Sequence, residues 1–414
     1  MLPVGVSAFF IQLLVILLVA RIVGWLAIQL GQPRVVGEMI AGILLGPTLF
    51  GAFAPELQQQ LFSAEYRPFL SLGAQIGIGL YMFLVGLEFD NSMFKTRARS
   101  AIAISASGIL VPFVMACVLA SWLLSFGALF ADNISWTQAT LFLGASIAIT
   151  AFPMLARVIQ EQGLANSKIG TLVLAAGAID DVAAWCLMAL LLASFSGDDS
   201  LFYKAVIGAV VFAVLMLTLV RKHTAQLESW YQKDGRLTPP LLLVILVLWV
   251  MSVSTTEWIG LHAVFGGFLL GVAMPRGLLA AHLIQRLQPV VLIGLVPLFF
   301  TVSGLKTDLS LLFQGTLWQV ALAVIAASIF AKAVACYLAA RFCGENHAMA
   351  LAVGILMNAR GMMELILLNI ALQNGVIKAD LFSVLVLMTI VTTMMATPLF
   401  NYLQRRAGFR AQLT

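Results

Sequence analysis

Long apolar runs alternate with short polar connections along the whole chain. Each of thirteen runs is long enough to form a helix that crosses a hydrocarbon layer of about 30 Å. The first run lacks a basic leader and a small-residue cleavage site, so we predict a membrane helix rather than a removed signal. The longest polar connection covers 221–236. The predicted membrane helices are 6–30, 35–51, 68–89, 101–127, 137–159, 167–195, 201–220, 238–256, 259–275, 284–304, 316–341, 347–373 and 380–404.

Composition supports an all-α polytopic membrane protein with one membrane domain. Hydrophobic residues make up 62% of the chain and charged residues 10%, whereas about 25% of a soluble domain is charged. No polar segment is long enough for a second, soluble domain. The net charge of +5 does not indicate nucleic-acid binding, because in a membrane protein the informative quantity is where the cations lie. The four cysteines lack the spacing of a metal site, and no disulfide is expected.

Lysine and arginine are distributed unequally between the two sides of the predicted membrane. Alternating the loops places 16 of these residues on one side and 4 on the other. Cytoplasmic loops carry the excess of positive charge. We therefore expect a bacterial inner-membrane protein with its N-terminus outside and its C-terminus in the cytoplasm, and an odd number of crossings.

Two motifs recur seven predicted helices apart. AGILLG at 41–46 resembles GGFLLG at 266–271, and GLEFD at 86–90 resembles GLKTD at 304–308. Because seven is odd, the partners run in opposite directions, which is typical of an inverted-topology repeat in transporters. We predict repeat one at 1–196, a linker helix at 201–220 and repeat two at 238–406, although chance similarity between apolar helices is an alternative.

The fifth and twelfth predicted helices, which correspond under this repeat, both contain interruptions. Pro153 removes a backbone donor in the fifth, and Asn358, Arg360 and Gly361 lie at mid-depth in the twelfth. Interrupted helices at matching positions indicate a transport site. A simple proline kink at Pro153 is the alternative.

Adjacent carboxylates lie near the middle of the sixth predicted helix, at Asp180 and Asp181. A charge at the bilayer centre costs about 2.5–3.5 kcal/mol on insertion scales, so it usually has a function or a partner. Mutual repulsion and poor solvation make the protonated form of such a pair accessible near neutral pH. A carboxylate of this kind can hold a proton or a dehydrated cation in turn. The alternative is a pair at a helix end facing water.

Other charged residues are also predicted within the membrane. Lys332 lies mid-helix and needs a buried anion, for which an aspartate of the sixth helix is the natural candidate, unless it snorkels to the interface. Arg360 and Glu364 are four residues apart and either pair along one helix face or set the electrostatics of the twelfth-helix break. Glu38 is interpreted as a structural residue near the interface.

No enzymatic constellation accompanies these charges. The sequence has no phosphate-binding glycine loop, no histidine pair with ligand spacing and no supported nucleophile set. We therefore expect neither an enzyme nor a bound cofactor.

Four stretches together resemble the second family of monovalent cation:proton antiporters, which includes Kef-type potassium systems, bacterial sodium/proton antiporters and plant cation/proton exchangers. They are PRVVGEMIAGILLGP at 33–47, TAFPMLAR at 150–157, AIDDVAAW at 178–185 and NARGMME at 358–364. Kef-type members append a cytosolic nucleotide-binding domain, whereas this chain stops soon after Arg406, so ligand-gated potassium efflux is not expected.

The resemblance implies a fold and a set of site residues. It implies thirteen helices, a core of helices 4–6 and 11–13 in which the broken helices cross, and a dimerisation domain. Asp181 would bind the cation or the proton, Asp180 would pair with Lys332, and Thr150 would line the crossing. Arg360, Glu364 and Asn358 are the supporting polar residues.

From these observations we predict a homodimeric antiporter that exchanges Na⁺, or alternatively K⁺, for protons. It would work by alternating access and move net charge, with two protons per cation. Two other functions remain open at this stage: a channel-like potassium efflux pathway, and a membrane sensor that has kept the transporter fold.

Overall fold

A computed structural model describes residues 6–63, 65–88, 93–127, 129–164, 167–195, 199–259, 263–313 and 315–405. Over these residues the protein is helical, apart from one isolated bridge between Phe130 and Ile377. The helices are α1 Val6–Gln29, α2 Arg34–Leu45, α3 Phe50–Phe53, α4 Pro55–Leu61, α5 Arg67–Glu88, α6 Met93–Leu124, α7 Trp136–Ala148, α8 Phe152–Glu161, α9 Lys168–Phe195, α10 Asp199–Leu215, α11 Arg221–Asp234, α12 Pro239–Ile259, α13 Ala263–Ala273, α14 Leu278–Val290, α15 Val296–Gly304, α16 Leu317–Phe342, α17 His347–Leu356, α18 Met362–Gln373 and α19 Ala379–Arg405.

The all-α prediction is confirmed, and each of the thirteen predicted segments coincides with one or two of these helices. Nine helical stretches among the described residues are long and apolar enough to span a membrane. The fifth, ninth and twelfth predicted segments correspond to shorter helices, and the sixth corresponds to α9, which has 28 residues. The count of thirteen crossings stays a prediction. Two junctions are π-helical, at Met216–Val220 and Val291–Leu295.

The polar stretch 221–236, which we had interpreted as a connection, is mostly helical. It forms α11, which continues from α10 through the π-helical turn. The helix ends where Gly235 adopts a left-handed conformation with φ of 62°, which glycine reaches without a steric penalty. Sequence reasoning missed this helix because most of its positions are polar and its buried face is narrow, with Leu227 and Tyr231 as its apolar members.

Both predicted helix interruptions are present. The fifth predicted segment divides into α7 and α8, separated by the non-helical residues 149–151, of which Ile149 is extended. The twelfth divides into α17 and α18, with Gly361 extended at the start of α18. The interruption between α7 and α8 is therefore a full break of the helix rather than a proline kink.

The chain forms two compact units. The first consists of Met1–Leu18, Glu56–Asp90 and Leu192–Val302. The second consists of Val19–Pro55, Asn91–Leu191 and Ser303–Thr414. It contains the break between α7 and α8, the break between α17 and α18, and also α16 and most of α9. The division into repeats at 1–196 and 238–406 remains a prediction.

The glycine motifs are sites of close approach between helices within each unit. In the first unit, a Cβ on Gly86 would lie 2.2 Å from the carbonyl oxygen of Phe268, and a Cβ on Gly271 would lie 2.2 Å from that of Phe83. In the second, a Cβ on Gly304 would lie 2.0 Å from the carbonyl oxygen of Gly42. The motif of the second predicted helix thus meets the tenth, and that of the ninth meets the third. The predicted inverted repeat, which relates helices 2 and 3 to helices 9 and 10, would produce this exchange of contacts.

Candidate functional site

The two helix breaks lie against each other in the second unit. The backbone N–H of Ala151 donates a hydrogen bond to the carbonyl oxygen of Ala359, with the N and O atoms 3.1 Å apart. The Thr150 hydroxyl lies 2.9 Å from the carbonyl oxygen of Met357. Each break therefore satisfies backbone groups that the other has lost, as irregular backbone within a membrane requires.

Asp180 is buried and surrounded by donors. Its Oδ2 lies 2.7 Å from Lys332 Nζ and 2.7 Å from the Thr150 hydroxyl, and its Oδ1 accepts from the Ser105 hydroxyl. Thr150 has one hydroxyl proton and two acceptors in range, so it can donate to Asp180 or to Met357 but not to both. The pairing of Asp180 with Lys332 fits an ionised carboxylate held by a cation and hydroxyl groups.

Lys332 is fully buried on α16, so it does not snorkel. Besides Asp180, its ammonium donates to the carbonyl oxygen of Ala148, the last residue of α7. The carbonyl end of a helix carries partial negative charge and lacks intrahelical donors. Lys332 therefore compensates a carboxylate and a helix terminus at once.

Asp181, the next residue on α9, has a different environment. Its side chain is fully buried, and its Oδ1 accepts one long bond, 3.4 Å, from the backbone N–H of Phe152 at the start of α8. Its Oδ2 has no hydrogen-bond partner among the described residues. A buried carboxylate with so few donors is costly when ionised, so it favours binding a proton or a cation.

Arg360 is also fully buried, and it bonds the same helix end as Lys332. Its guanidinium donates to the carbonyl oxygens of Ser146 and Ile147 over 2.7 and 2.8 Å. Its Nη1 lies 3.4 Å from Glu364 Oε1. Arg360 lies in the break before α18, so it pairs with Glu364 in the first turn of α18 rather than along one continuous helix face, and it also caps α7.

Asn358 lies within the second break and is fully buried. Its amide nitrogen donates to the carbonyl oxygen of Gly354 over 2.8 Å, while its Oδ1 is without a partner among the described residues. The structure thus gathers Asp180, Asp181, Thr150 and Lys332, and also the supporting residues Arg360, Glu364 and Asn358, around the two breaks.

Two hydroxyl residues of this site were not identified from the sequence. Ser105 on α6 bonds Asp180, and Thr393 on α19 both donates to the carbonyl oxygen of Arg360 and accepts from its N–H. Hydroxyl residues are common in membrane helices and usually bond their own preceding turn. Their roles therefore depend on packing that no local pattern reports. Glu38 pairs with Arg34 over 3.1 Å on α2.

No group of three or more His, Cys, Asp or Glu side chains in the described part of the chain is arranged to hold a metal ion. Among the described residues near the breaks, the buried side-chain oxygens without a hydrogen-bond partner include Asp181 Oδ2, Asn358 Oδ1 and Glu364 Oε2. Here the cation would be a substrate and not a resident cofactor.

Comparison with known proteins gives the family. The family model described as "Sodium/hydrogen exchanger, transmembrane" matches residues 14–402. The Na(+)/H(+) antiporter NhaS4 of Synechocystis is 40% identical, with 94% of this chain aligned to 95% of that protein. The Na(+)/H(+)-K(+) antiporter GerN of Bacillus cereus is 26% identical over 95% of this chain and 96% of its own length.

Longer relatives also match. K(+)/H(+) antiporter 1 of Saccharomyces cerevisiae is 33% identical over 95% of this chain, which spans 46% of the yeast protein. The sodium proton antiporter MjNhaP1 of Methanocaldococcus jannaschii shares the fold, with a TM-score of 0.65 at 15% identity over 98% of this chain and 99% of that one. The buried aspartates at two meeting helix breaks, the family match and the antiporter relatives agree, and the chain belongs to the sodium/hydrogen exchanger family of monovalent cation/proton antiporters.

Proposed function

We propose that Asp181 is the carboxylate that the transported cation and the proton occupy in turn. The observation that carries this proposal is the environment of Asp181, which is fully buried with Oδ2 unpartnered among the described residues. Either ligand would neutralise the carboxylate, and both cannot occupy it together. Competition for one buried charge couples the two fluxes, while alternating access lets each side of the membrane load a different ion.

Asp180 and Lys332 form a second charge pair beside this site. Their 2.7 Å contact neutralises the Asp180 carboxylate with the Lys332 ammonium, whereas no cation among the described residues pairs with Asp181. An incoming cation therefore meets one of these two carboxylates and not both. We propose that this pair opens and closes during exchange, and that a second proton moves with it. Transport would then carry two protons per cation and be electrogenic.

Na⁺ is the proposed cation, with K⁺ as the alternative. The NhaS4 relative, matched over nearly its whole length, is named for Na⁺ and H⁺, whereas the yeast relative is named for K⁺ and H⁺. Cavity size and the number of coordinating oxygens decide between the two ions. Proton flux in liposomes against gradients of Li⁺, Na⁺, K⁺ and Rb⁺, with and without a valinomycin-clamped potential, measures both selectivity and net charge movement.

The excess of lysine and arginine on one side supports an inner-membrane orientation with a cytoplasmic C-terminus. We also propose that the protein is a homodimer, as the family resemblance implies. Accessibility labelling of cysteines introduced into single loops tests the orientation, and mass measurement of the detergent-solubilised protein tests the dimer.

The deciding experiment compares two acid-to-amide substitutions in liposomes. Asp181→Asn removes the exchangeable charge with little change in shape, so cation-driven proton flux should be lost while the purified protein stays monodisperse. Asp132→Asn is the matched control, because the Asp132 side chain is 92% exposed and pairs with Lys378 at the surface. Its flux should stay close to that of the wild type. Wild-type flux in a folded Asp181→Asn variant would refute the assignment.

The same liposomes distinguish the other two functions. A channel-like pathway would carry cation current without a proton gradient and without proton movement. A sensor would bind cations without moving them. The relatives matched over nearly their whole length are named as antiporters, which favours exchange over both.

A further inference from the structure

A groove runs along the side of the second unit, between α16, α17 and α19. It has a volume of about 360 Å³ and is lined by apolar side chains, which include Phe330, Ala333, Leu351 and Leu399. This volume lies within the range of sites that hold small organic molecules. The groove therefore has room for part of a ligand and not only for ordered water.

The wall of the groove is open along helices that are long enough to cross the membrane. The side chains of Phe330, Val334 and Leu399 are 66%, 46% and 39% exposed, and α16 and α19 are both candidate spans. In a membrane, the medium that meets these side chains is hydrocarbon. An acyl chain is therefore the molecule with the best access to the groove.

Polar groups lie together at one end of the groove. The Tyr337 hydroxyl lies 3.0 Å from His347 Nδ1, and the two rings meet edge to face. Arg341 is exposed one turn beyond Tyr337 on the same face of α16, and it uses one donor on the carbonyl oxygen of Glu345. A guanidinium has five donors, so Arg341 can also bind a phosphate.

The other end of the groove reaches the helix break. Asn358 lines the groove and lies between α17 and α18. A molecule in the groove would therefore contact both the surface of the protein and the break on which transport depends.

We propose that this groove is a phospholipid site. One acyl chain lies between α16, α17 and α19, and an anionic headgroup lies at Arg341 and the Tyr337–His347 pair. The apolar groove and the polar groups at its end match the apolar tail and the polar headgroup of a phospholipid. Basic pockets between membrane helices bind anionic headgroups, and the positive-inside pattern places this mouth on the cytoplasmic side. Such a lipid is distinct from bulk lipid because it is recessed between three helices.

Native mass spectrometry tests the site. The protein is equilibrated with phosphatidylglycerol and phosphatidylcholine in equal amounts, extracted in mild detergent and analysed for retained lipid. The wild type should keep one phosphatidylglycerol per chain. Ala333→Phe places a ring in the groove, and since each buried methylene contributes a factor of about four, excluding two should reduce retention about sixteenfold. Leu322→Phe is the matched control, because Leu322 is 59% exposed on the same helix outside the groove.

A second variant keeps the proposal testable if Ala333→Phe does not fold. Arg341→Ala changes an exposed residue and should remove the preference for phosphatidylglycerol over phosphatidylcholine. Retention in a folded Ala333→Phe variant equal to that of Leu322→Phe would overturn the acyl site. An unchanged lipid preference in Arg341→Ala would overturn the headgroup assignment. Neither outcome depends on which ion is transported.

Discussion

The ion pair between Asp180 and Lys332 allows a quantitative test of the site. Both side chains are fully buried, and the charged atoms are 2.7 Å apart. Lys332→Gln removes the cation and leaves the carboxylate with the hydroxyls of Ser105 and Thr150. Breaking a buried pair by removing one partner costs about 3–5 kcal/mol, because the other charge stays buried and uncompensated. The single variant should therefore melt well below the wild type.

Removing both charges should cost less than the two single changes together. Asp180→Asn combined with Lys332→Gln leaves two neutral amides that can bond each other and Thr150. Residues in direct contact show coupling energies of about 0.5–3 kcal/mol in double-mutant cycles, and this pair should lie in the upper part of that range. The measurement is the melting temperature of the four proteins in one detergent, read as the monodisperse fraction after heating.

Transport separates a structural role from a mechanistic one. If the pair takes part in proton coupling, the folded double variant should still exchange cations but move less net charge per cation. Additive losses in the four melting temperatures would refute the energetic argument. Unchanged charge movement in the double variant would refute the proposed second proton.

Two further predictions concern a residue that caps the first break and a glycine where two helices of the first unit approach closely. Arg360→Lys keeps the charge but cannot reach both α7 carbonyls. Since an unsatisfied buried group costs about 1–3 kcal/mol, this variant should have a lower melting temperature than the wild type, and Arg360→Gln should have a lower one still. Equal stability of all three proteins would contradict the capping role. Gly86→Ala should greatly reduce the yield of folded protein, because the new Cβ would lie 2.2 Å from a backbone oxygen of α13. Gly294→Ala is the control and should leave the yield unchanged, since nothing lies within 4 Å of a Cβ at that position. Comparable yields of the two variants by size-exclusion chromatography would disprove the close approach.

Much of this architecture could be predicted from the sequence because the bilayer restricts what a membrane chain can do. Apolar runs report spans directly, and a charge such as Lys332 within one needs a partner. Pro153 and Gly361 mark both helix breaks through their local backbone effects. Local signals therefore indicated which residues meet at the breaks, and the need of Lys332 for a buried anion indicated its pairing with an aspartate of the sixth predicted helix.

The missing part of the prediction is long-range. Arg360 bonds the carbonyls of Ser146 and Ile147, which are more than 200 residues away, and no local pattern specifies that contact. Ser105 contributes to the site through one hydroxyl that resembles many others in apolar helices. The polar helix α11 was missed because sequence periodicity detects helices by their apolar face.

The carbonyl end of α7 is already bound by two cations that belong to the protein. Lys332 and Arg360 occupy the oxygens of residues 146–148, which would otherwise resemble the carbonyl rings that bind dehydrated ions in channels. These three backbone oxygens are therefore not available to replace the water of an incoming ion, which leaves that role to the carboxylate proposed at Asp181. The affinity of such a carrier for its cation would depend on the pH of the medium, because the carboxylate that replaces the ion's water of hydration also binds protons.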